Sequence, residues 1–332
     1  MLRNPKVVWF GLVVGMSILS TAAFGEALFK FKGKTFDSSK LDPKHKLKYY
    51  EAEAEFYQHR EKIIQEAALD LYFEALAKKK GKTAGSLRSE HLQGSAPTEA
   101  DLKAFYDKNR NKIPYPFEQV KSQITRFVAE EKRQKKRTEI IDKLKKKKEF
   151  SFVLRKPVAP KIAISTDGFH QKGNKSAKVT VVEFADYQCP HCKMAYESFS
   201  KVFKKYKNKI NFVFIDFPIK GGSEEIAEGG VCAKEQKKYW EYHNAAFENQ
   251  GKLKKAADIA AKIGLNKDDF QKCMDSKVGV ELVKAGRAEG DRVGISGTPS
   301  MFINGYRFNG GFTEEAMSKA IDDALAGKKG AS

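Results

Sequence analysis

Residues 179–193 run Val179-Thr180-Val181-Val182-Glu183-Phe184-Ala185-Asp186-Tyr187-Gln188-Cys189-Pro190-His191-Cys192-Lys193. The stretch Val179 to Phe184 is a dense β-branched run and reads as a central strand. Cys189 to Tyr206 reads as a helix. Two cysteines three residues apart at a helix start face one another and close a small ring. The first sits where free backbone N–H groups and the helix dipole favour negative charge. His191 places an imidazole beside it, whose positive form also favours a thiolate. Both effects lower the pKa of the attacking sulfur. A stabilised thiolate stabilises the reduced state and makes the corresponding disulfide a stronger oxidant. The alternative is a zinc half-site, which wants a second close pair of ligands. The remaining cysteines, Cys232 and Cys273, lie far apart in sequence. The motif therefore points to redox chemistry, with no bound metal or organic cofactor implied.

Outward from this segment the pattern is α/β. Ile210 to Phe217 is a second buried strand and Ser223 to Arg292 a long helical stretch. Met301 to Ile303 and Tyr306 to Phe308 are short strands, and Thr313 to Ala326 is a closing helix. Strand, helix, strand, helices, paired strands, helix is an α/β order.

The segment Phe184 to Lys193 resembles the active-site region of the DsbA-like thiol oxidoreductases. Gly294-Ile295-Ser296-Gly297-Thr298-Pro299, followed by Met301-Phe302-Ile303-Asn304-Gly305, is similar to that family's second signature. The resemblance covers Ile162 to Leu325. It implies a thioredoxin-like fold with a helical insertion. It makes Cys189 the exposed nucleophile, Cys192 the buried resolving thiol, and Cys189–Cys192 the redox-active disulfide. Pro299 becomes a cis-proline beside that disulfide, with the backbone before it pairing with an extended client peptide; the alternative is an ordinary turn proline. The family also has an acidic residue six positions before the nucleophile. Here that residue is Glu183, the lone carboxylate of its run. If buried, it has a raised pKa and can shuttle a proton to Cys192; the alternative is a solvated strand-end carboxylate. Some DsbA-like proteins carry a second bridge in the helical insertion, so Cys232 and Cys273 are either a structural disulfide or two separate buried thiols. Trp240, Tyr242, His243 and Phe247 read as core and helix-face residues rather than ligands.

The first half of the chain differs. Residues 1–160 hold 34 of the 62 Lys and Arg but only 20 of the 42 Asp and Glu, so most of the net charge of +20 sits there. A basic chain raises nucleic acid as a partner; the N-terminus argues against it. Arg3 and Lys6 precede the apolar run Val7 to Leu19, and Ala23-Phe24-Gly25 offers small residues at a cleavage point. Residues 1–25 thus read as a secretory signal, with an uncleaved membrane anchor at residues 7–19 as the alternative. Either places the remainder outside the cytoplasm, in the periplasm. The basic excess is then a solvated face or an attraction to anionic envelope surfaces or acidic clients.

Residues 26–155 read as a mostly helical module. Leu28 to Phe36 suggests a small strand and turn. A long helix follows Asp42-Pro43 and closes at Lys78-Lys79-Lys80-Gly81. Residues 81–97 are expected to be a loop. Thr98 is placed as the N-cap of a second helix, and a third begins at Phe117. The order is similar to the helical arm region of parvulin-type foldases, a likeness of pattern without a chemical motif. Phe150 to Ala163, with Pro157 and Pro160, is the expected linker into a thioredoxin-like domain at residues 156–332.

Three functions compete. The first, favoured by Pro190-His191 between the cysteines, is a thiol oxidase. It donates disulfides to unfolded or partly folded exported polypeptides and is recharged by a membrane redox partner. The second is an isomerase or reductase made homo-oligomeric by the helical module, favoured by Thr298, which disulfide isomerases share. The third is a chaperone-like protein that binds clients through its long basic helices and whose redox site is secondary.

Overall fold

The computed structural model describes residues 27–93, 96–110, 113–328 and 330. The expected export signal at residues 1–25 lies outside them. The chain divides into two compact units, one running from Tyr50 to Ala159 and the other joining the residues up to Tyr49 with those from Pro160 onward.

The first of these is all-helical. Helix α1 (Pro43–Lys80) contributes most of its length, followed by α2 (Ala84–Gln93), α3 (Glu99–Asn109) and α4 (Phe117–Lys146). Thr98 closes a capping box with Asp101 at the start of α3. Two small cores hold the helices together. Leu69 and Phe73 of α1, Leu87 and Leu92 of α2, and Ile141 and Leu144 of α4 form one. Leu102, Tyr106, Val120, Ile124 and Val128 form the other, between α3 and α4. Helix α2 corrects the reading of residues 81–97 as a loop. Its two leucines are fully or almost fully buried, and Thr83 accepts the Ser86 N–H at its first turn. Tertiary burial of a two-residue apolar face overrides a polar composition. Part of the basic excess is paired inside this unit: Glu66 accepts from both Arg88 and Arg137, and Lys132 meets Asp101 at 2.6 Å.

The other unit opens with the hairpin β1 (Ala27–Phe31) and β2 (Lys34–Asp37), turning at Lys32-Gly33 with positive φ at both residues. Its main body is a five-stranded mixed sheet in the order β3-β5-β4-β6-β7. The strands are β3 (His170–Gly173), β4 (Val179–Ala185), β5 (Ile210–Asp216), β6 (Ser300–Ile303) and β7 (Tyr306–Arg307). Strand β4 is central, parallel to β5 and antiparallel to β6. Both β4 and β5 are covered on their two faces, which explains their near-continuous apolar sequence. Helix α5 (Pro190–Tyr206) follows β4. The helical stretch expected from Ser223 to Arg292 resolves into five helices: α6 (Ser223–Glu235), α7 (Tyr239–Glu248), α8 (Ala256–Lys262), α9 (Lys267–Ser276) and α10 (Val278–Val293). Helix α11 (Glu314–Leu325) closes the chain. Helix α10 lies close on the end of β5: a Cβ on Gly286 would stand 2.5 Å from the Asp216 carbonyl oxygen. The architecture is a thioredoxin-like sheet with a helical insertion, preceded by a helical region.

Candidate active site

Strand β4 delivers the site. Its last residue, Ala185, leads into the turn Asp186-Tyr187-Gln188, and Cys189 then stands at the N-cap of α5 with Pro190 in the first helical position. Proline suits that place because its missing N–H would be unpaired there anyway. The Cys189 carbonyl accepts the N–H groups of Cys192 at 3.0 Å and Lys193 at 3.2 Å, forming the first turn. Pro190 and His191 are exposed.

Both active-site cysteines are free thiols and both are buried. This corrects the expectation of an exposed nucleophile: Cys189 is only 4% accessible. The cause is the loop before β6. Its Thr298–Pro299 peptide bond is cis, and the Cys189 thiol donates to the Thr298 carbonyl at 3.4 Å. Cys192 is fully enclosed, and burial pushes its thiol far up; the Asp186 N–H, 3.5 Å from its sulfur, opposes that shift. The structure thus brings Cys189, Cys192, Thr298 and Pro299 together at one place.

Below them lies a group of buried ionisable side chains. Successive strand residues point to opposite faces, and the register pairs Glu183 with Phe214, Ala185 with Asp216, His170 with Phe214, and Lys172 with Phe212. Glu183, Asp216, His170 and Lys172 therefore share one face of the sheet. Glu183 is buried, and burial raises its carboxyl to about 8, with the Lys172 charge opposing. Lys172 is lowered by burial to about 8, with Glu183 opposing. Its ammonium is caged by rings, 4.2 Å from the centroid of Trp240 and 4.7 Å from that of Phe203. Burial and the Asp186 carboxylate raise Asp216 to about 8. Burial and Lys234 lower His170 to about 3. His170 stacks on Tyr239 at 3.5 Å and approaches Asp216 at 3.9 Å.

Two further residues organise the active-site turn. The buried Asp186 carboxylate accepts the N–H groups of Gln188, Ile219 and Lys220 and the Ser223 hydroxyl, at 2.5 to 2.7 Å. This ties the turn to the segment after β5. Tyr187 is fixed by its hydroxyl, 3.1 Å from Nδ1 of His243 on α7 and 3.3 Å from the Tyr239 hydroxyl. Trp240, Tyr242, His243 and Phe247 pack as parts of the core or against it. Cys232 of α6 and Cys273 of α9 form a disulfide with an S–S distance of 2.00 Å. Among the described residues no cluster of three or more His, Cys, Asp or Glu side chains is arranged to hold a metal ion.

Asp186, Asp216, Lys172 and His170 are not singled out by sequence reasoning. Asp216 carries the signal that marks Glu183, a carboxylate at the end of an apolar run. Lys172 and His170 carry none, because β3 is too short and mixed to show a period.

A family profile described as Thioredoxin matches residues 165–323. The Na(+)/H(+) antiporter NhaA 1 of Salinispora arenicola is 30% identical over 173 residues, which are 51% of this chain and 26% of that protein. The chain thus spans about a quarter of the length of the first curated relatives it matches. The probable disulfide bond formation protein D of Bacillus cereus is 29% identical over 168 residues, covering 46% of this chain and 77% of the relative. Among solved structures, oxidised BdbD from Bacillus subtilis is 23% identical with a TM-score of 0.46, over 51% of this chain and 99% of that one. The Cys-Pro-His-Cys turn at the start of α5, the cis-proline loop facing it and the helices between β5 and β6 all lie within the residues that this thioredoxin profile matches.

Proposed function

We propose that the chain is an exported thiol:disulfide oxidoreductase that donates disulfides to exported polypeptides. The observation that carries this reading is the pairing of Cys189, at a helix N-cap against the Thr298 carbonyl, with the enclosed thiol of Cys192 and the buried Glu183. In the oxidised form a client thiolate attacks the sulfur of Cys189. The Cys189–Cys192 bond breaks, and Cys192 leaves as a thiolate that takes a proton from Glu183. A second client thiolate then attacks the client sulfur of the mixed disulfide, and Cys189 leaves as a thiolate stabilised by the helix start. The client has lost two electrons, and its two protons have gone to solvent; the protein holds the Cys189 thiolate and the Cys192 thiol, and Glu183 regains its proton from solvent. A membrane redox partner reoxidises it. Loss of disulfide donation in a Cys189→Ala variant is expected; retained donation overturns the reading.

Export rests on Arg3, Lys6 and the apolar run Val7 to Leu19. Mature protein beginning after Gly25 in the envelope fraction is the expected result by mass spectrometry, and a full-length cytoplasmic chain overturns it. Among the described residues no helix is long and apolar enough to cross a membrane.

A second reading, an oligomeric isomerase or reductase, is favoured by Thr298 before the cis-proline. The helical module supports oligomerisation or client binding: Phe56, Ile63 and Leu71 of α1 are all more than half exposed, and Phe105 and Phe127 line a 470 Å³ groove between α3 and α4. The equilibrium of Cys189/Cys192 with glutathione separates the readings. A potential less negative than about −150 mV marks a disulfide donor, and one near or below about −200 mV marks an isomerase or reductase.

A further inference from the structure

Gln250, just past the end of α7, spends both hydrogens of its side-chain amide on the active-site turn. Nε2 donates to the Tyr187 carbonyl at 2.8 Å and to the Cys189 carbonyl at 3.0 Å. The two acceptors bracket Gln188, so one side chain pins both ends of the segment that aims Cys189. The Cys189 carbonyl is also the acceptor of the first turn of α5, through the N–H groups of Cys192 and Lys193. Gln250 therefore grips the same peptide group that starts the helix.

The end of α7 is a firm support for this grip. Phe247 is buried and packs on the Tyr187 ring at 4.8 Å and the Tyr196 ring at 5.0 Å. The Gln250 N–H itself donates to the Phe247 carbonyl at 3.2 Å. One turn earlier, His243 meets the Tyr187 hydroxyl. Tyr187 is thus held at its ring and its hydroxyl by α7 and at its carbonyl by Gln250 just past that helix.

We infer that Gln250 is a positioning residue for Cys189, through which the helical insertion sets the reactivity of the nucleophilic thiol. This deepens the thiol–disulfide reading and rests on it. A thiolate at an N-cap is stabilised by first-turn amides only while the backbone holds the sulfur toward them. Without Gln250 the Tyr187 carbonyl loses the donor described above, and the Cys189 carbonyl keeps only its two helical donors. The turn then samples other arrangements, and the average stabilisation of the thiolate falls.

The test uses the full chain with Gln250→Met, which keeps length and loses the donors, and Gln250→Glu, which keeps shape but puts a carboxylate against two carbonyls. Three quantities are read: the pH dependence of Cys189 alkylation by iodoacetamide, the equilibrium with glutathione, and the melting temperature. A lost hydrogen bond is worth about a 5-fold change in an equilibrium. Gln250→Met is expected to move the alkylation midpoint to higher pH and shift the glutathione equilibrium about 5-fold toward the disulfide, and Gln250→Glu to shift both further. A melting temperature that falls while the midpoint and the equilibrium stay at wild-type values overturns the positioning role, because a merely structural contact gives that pattern. Wild-type protein that fails to exchange with glutathione overturns both this role and the thiol–disulfide reading beneath it.

Discussion

Lys172 and Glu183 stand on the same face of the sheet with β5 between their strands, and burial moves the two groups to about 8 from opposite directions. Lys172 is less buried than its partner. In the proposed cycle Glu183 gives its proton to Cys192, and the Lys172 charge favours the carboxylate that this leaves. Glu183→Gln is expected to slow disulfide donation on the order of 100-fold, the usual scale of a lost general acid. In the wild type, donation corrected for the client's own thiolate fraction falls as pH rises through about 8. Lys172→Met removes the charge that holds Glu183 down, so the fall moves to higher pH. Stopped-flow rates from pH 6 to 10 check both; wild-type rate and profile in Glu183→Gln would rule out the proton donor.

Asp216 and His170 make opposite contributions to stability against pH. Asp216 keeps its proton in the folded chain up to about 8 but loses it near the ordinary carboxylate value when unfolded. The folded state then binds more protons between those limits, and stability falls as pH rises through that window. His170 is lowered to about 3, so between that point and the ordinary histidine value the unfolded state binds more protons and stability rises with pH. Asp216→Asn is expected to remove roughly 3 kcal/mol of the alkaline loss. Urea melts at pH 5 and pH 8 check it, and an unchanged difference between the two would count against the buried acid.

The Cys232–Cys273 bridge closes a segment with a sequence separation of 41 and joins α6 to α9 within the helical insertion. Opening it relaxes the unfolded chain more than it changes the active-site turn. Cys232→Ser/Cys273→Ser is expected to lower stability by about 2 to 4 kcal/mol while Cys189 alkylation at 25 °C keeps its rate. A matching loss of alkylation rate would show that the bridge also shapes the site.

How much of this was legible beforehand depends on the range of the interaction. The cysteine spacing, the strand before it and the capping signal at Thr98 are local, and local sequence states them. Glu183 is legible as a lone carboxylate in an apolar run. Asp216 ends a similar run, yet one strand does not tell whether its last side chain faces core or solvent; the register with Ala185 decides that. Strand β3 exists because four mixed residues find the edge of β5. Gln250 reaches Cys189 across 61 residues. Burial of Cys189 likewise follows from a loop more than a hundred residues away. Residues 84–93 look like a loop until the leucines at 87 and 92 are seen to meet α1 and α4.

Cys192 is the residue whose removal separates attack from release. Its sulfur is enclosed and its thiol held far up by burial, so it cannot compete as the first nucleophile. In Cys192→Ala the remaining Cys189 thiolate still attacks a client disulfide. One client sulfur bonds to Cys189 and the other leaves as a thiolate. Nothing within the site then reaches the new bond. Mixed disulfides are expected to accumulate in cells and to disappear on treatment with dithiothreitol. Cys189→Ala should trap none. Trapping by Cys189→Ala and none by Cys192→Ala, read on non-reducing gels with identification of the attached chains, would reverse the assignment of attacking and resolving sulfur.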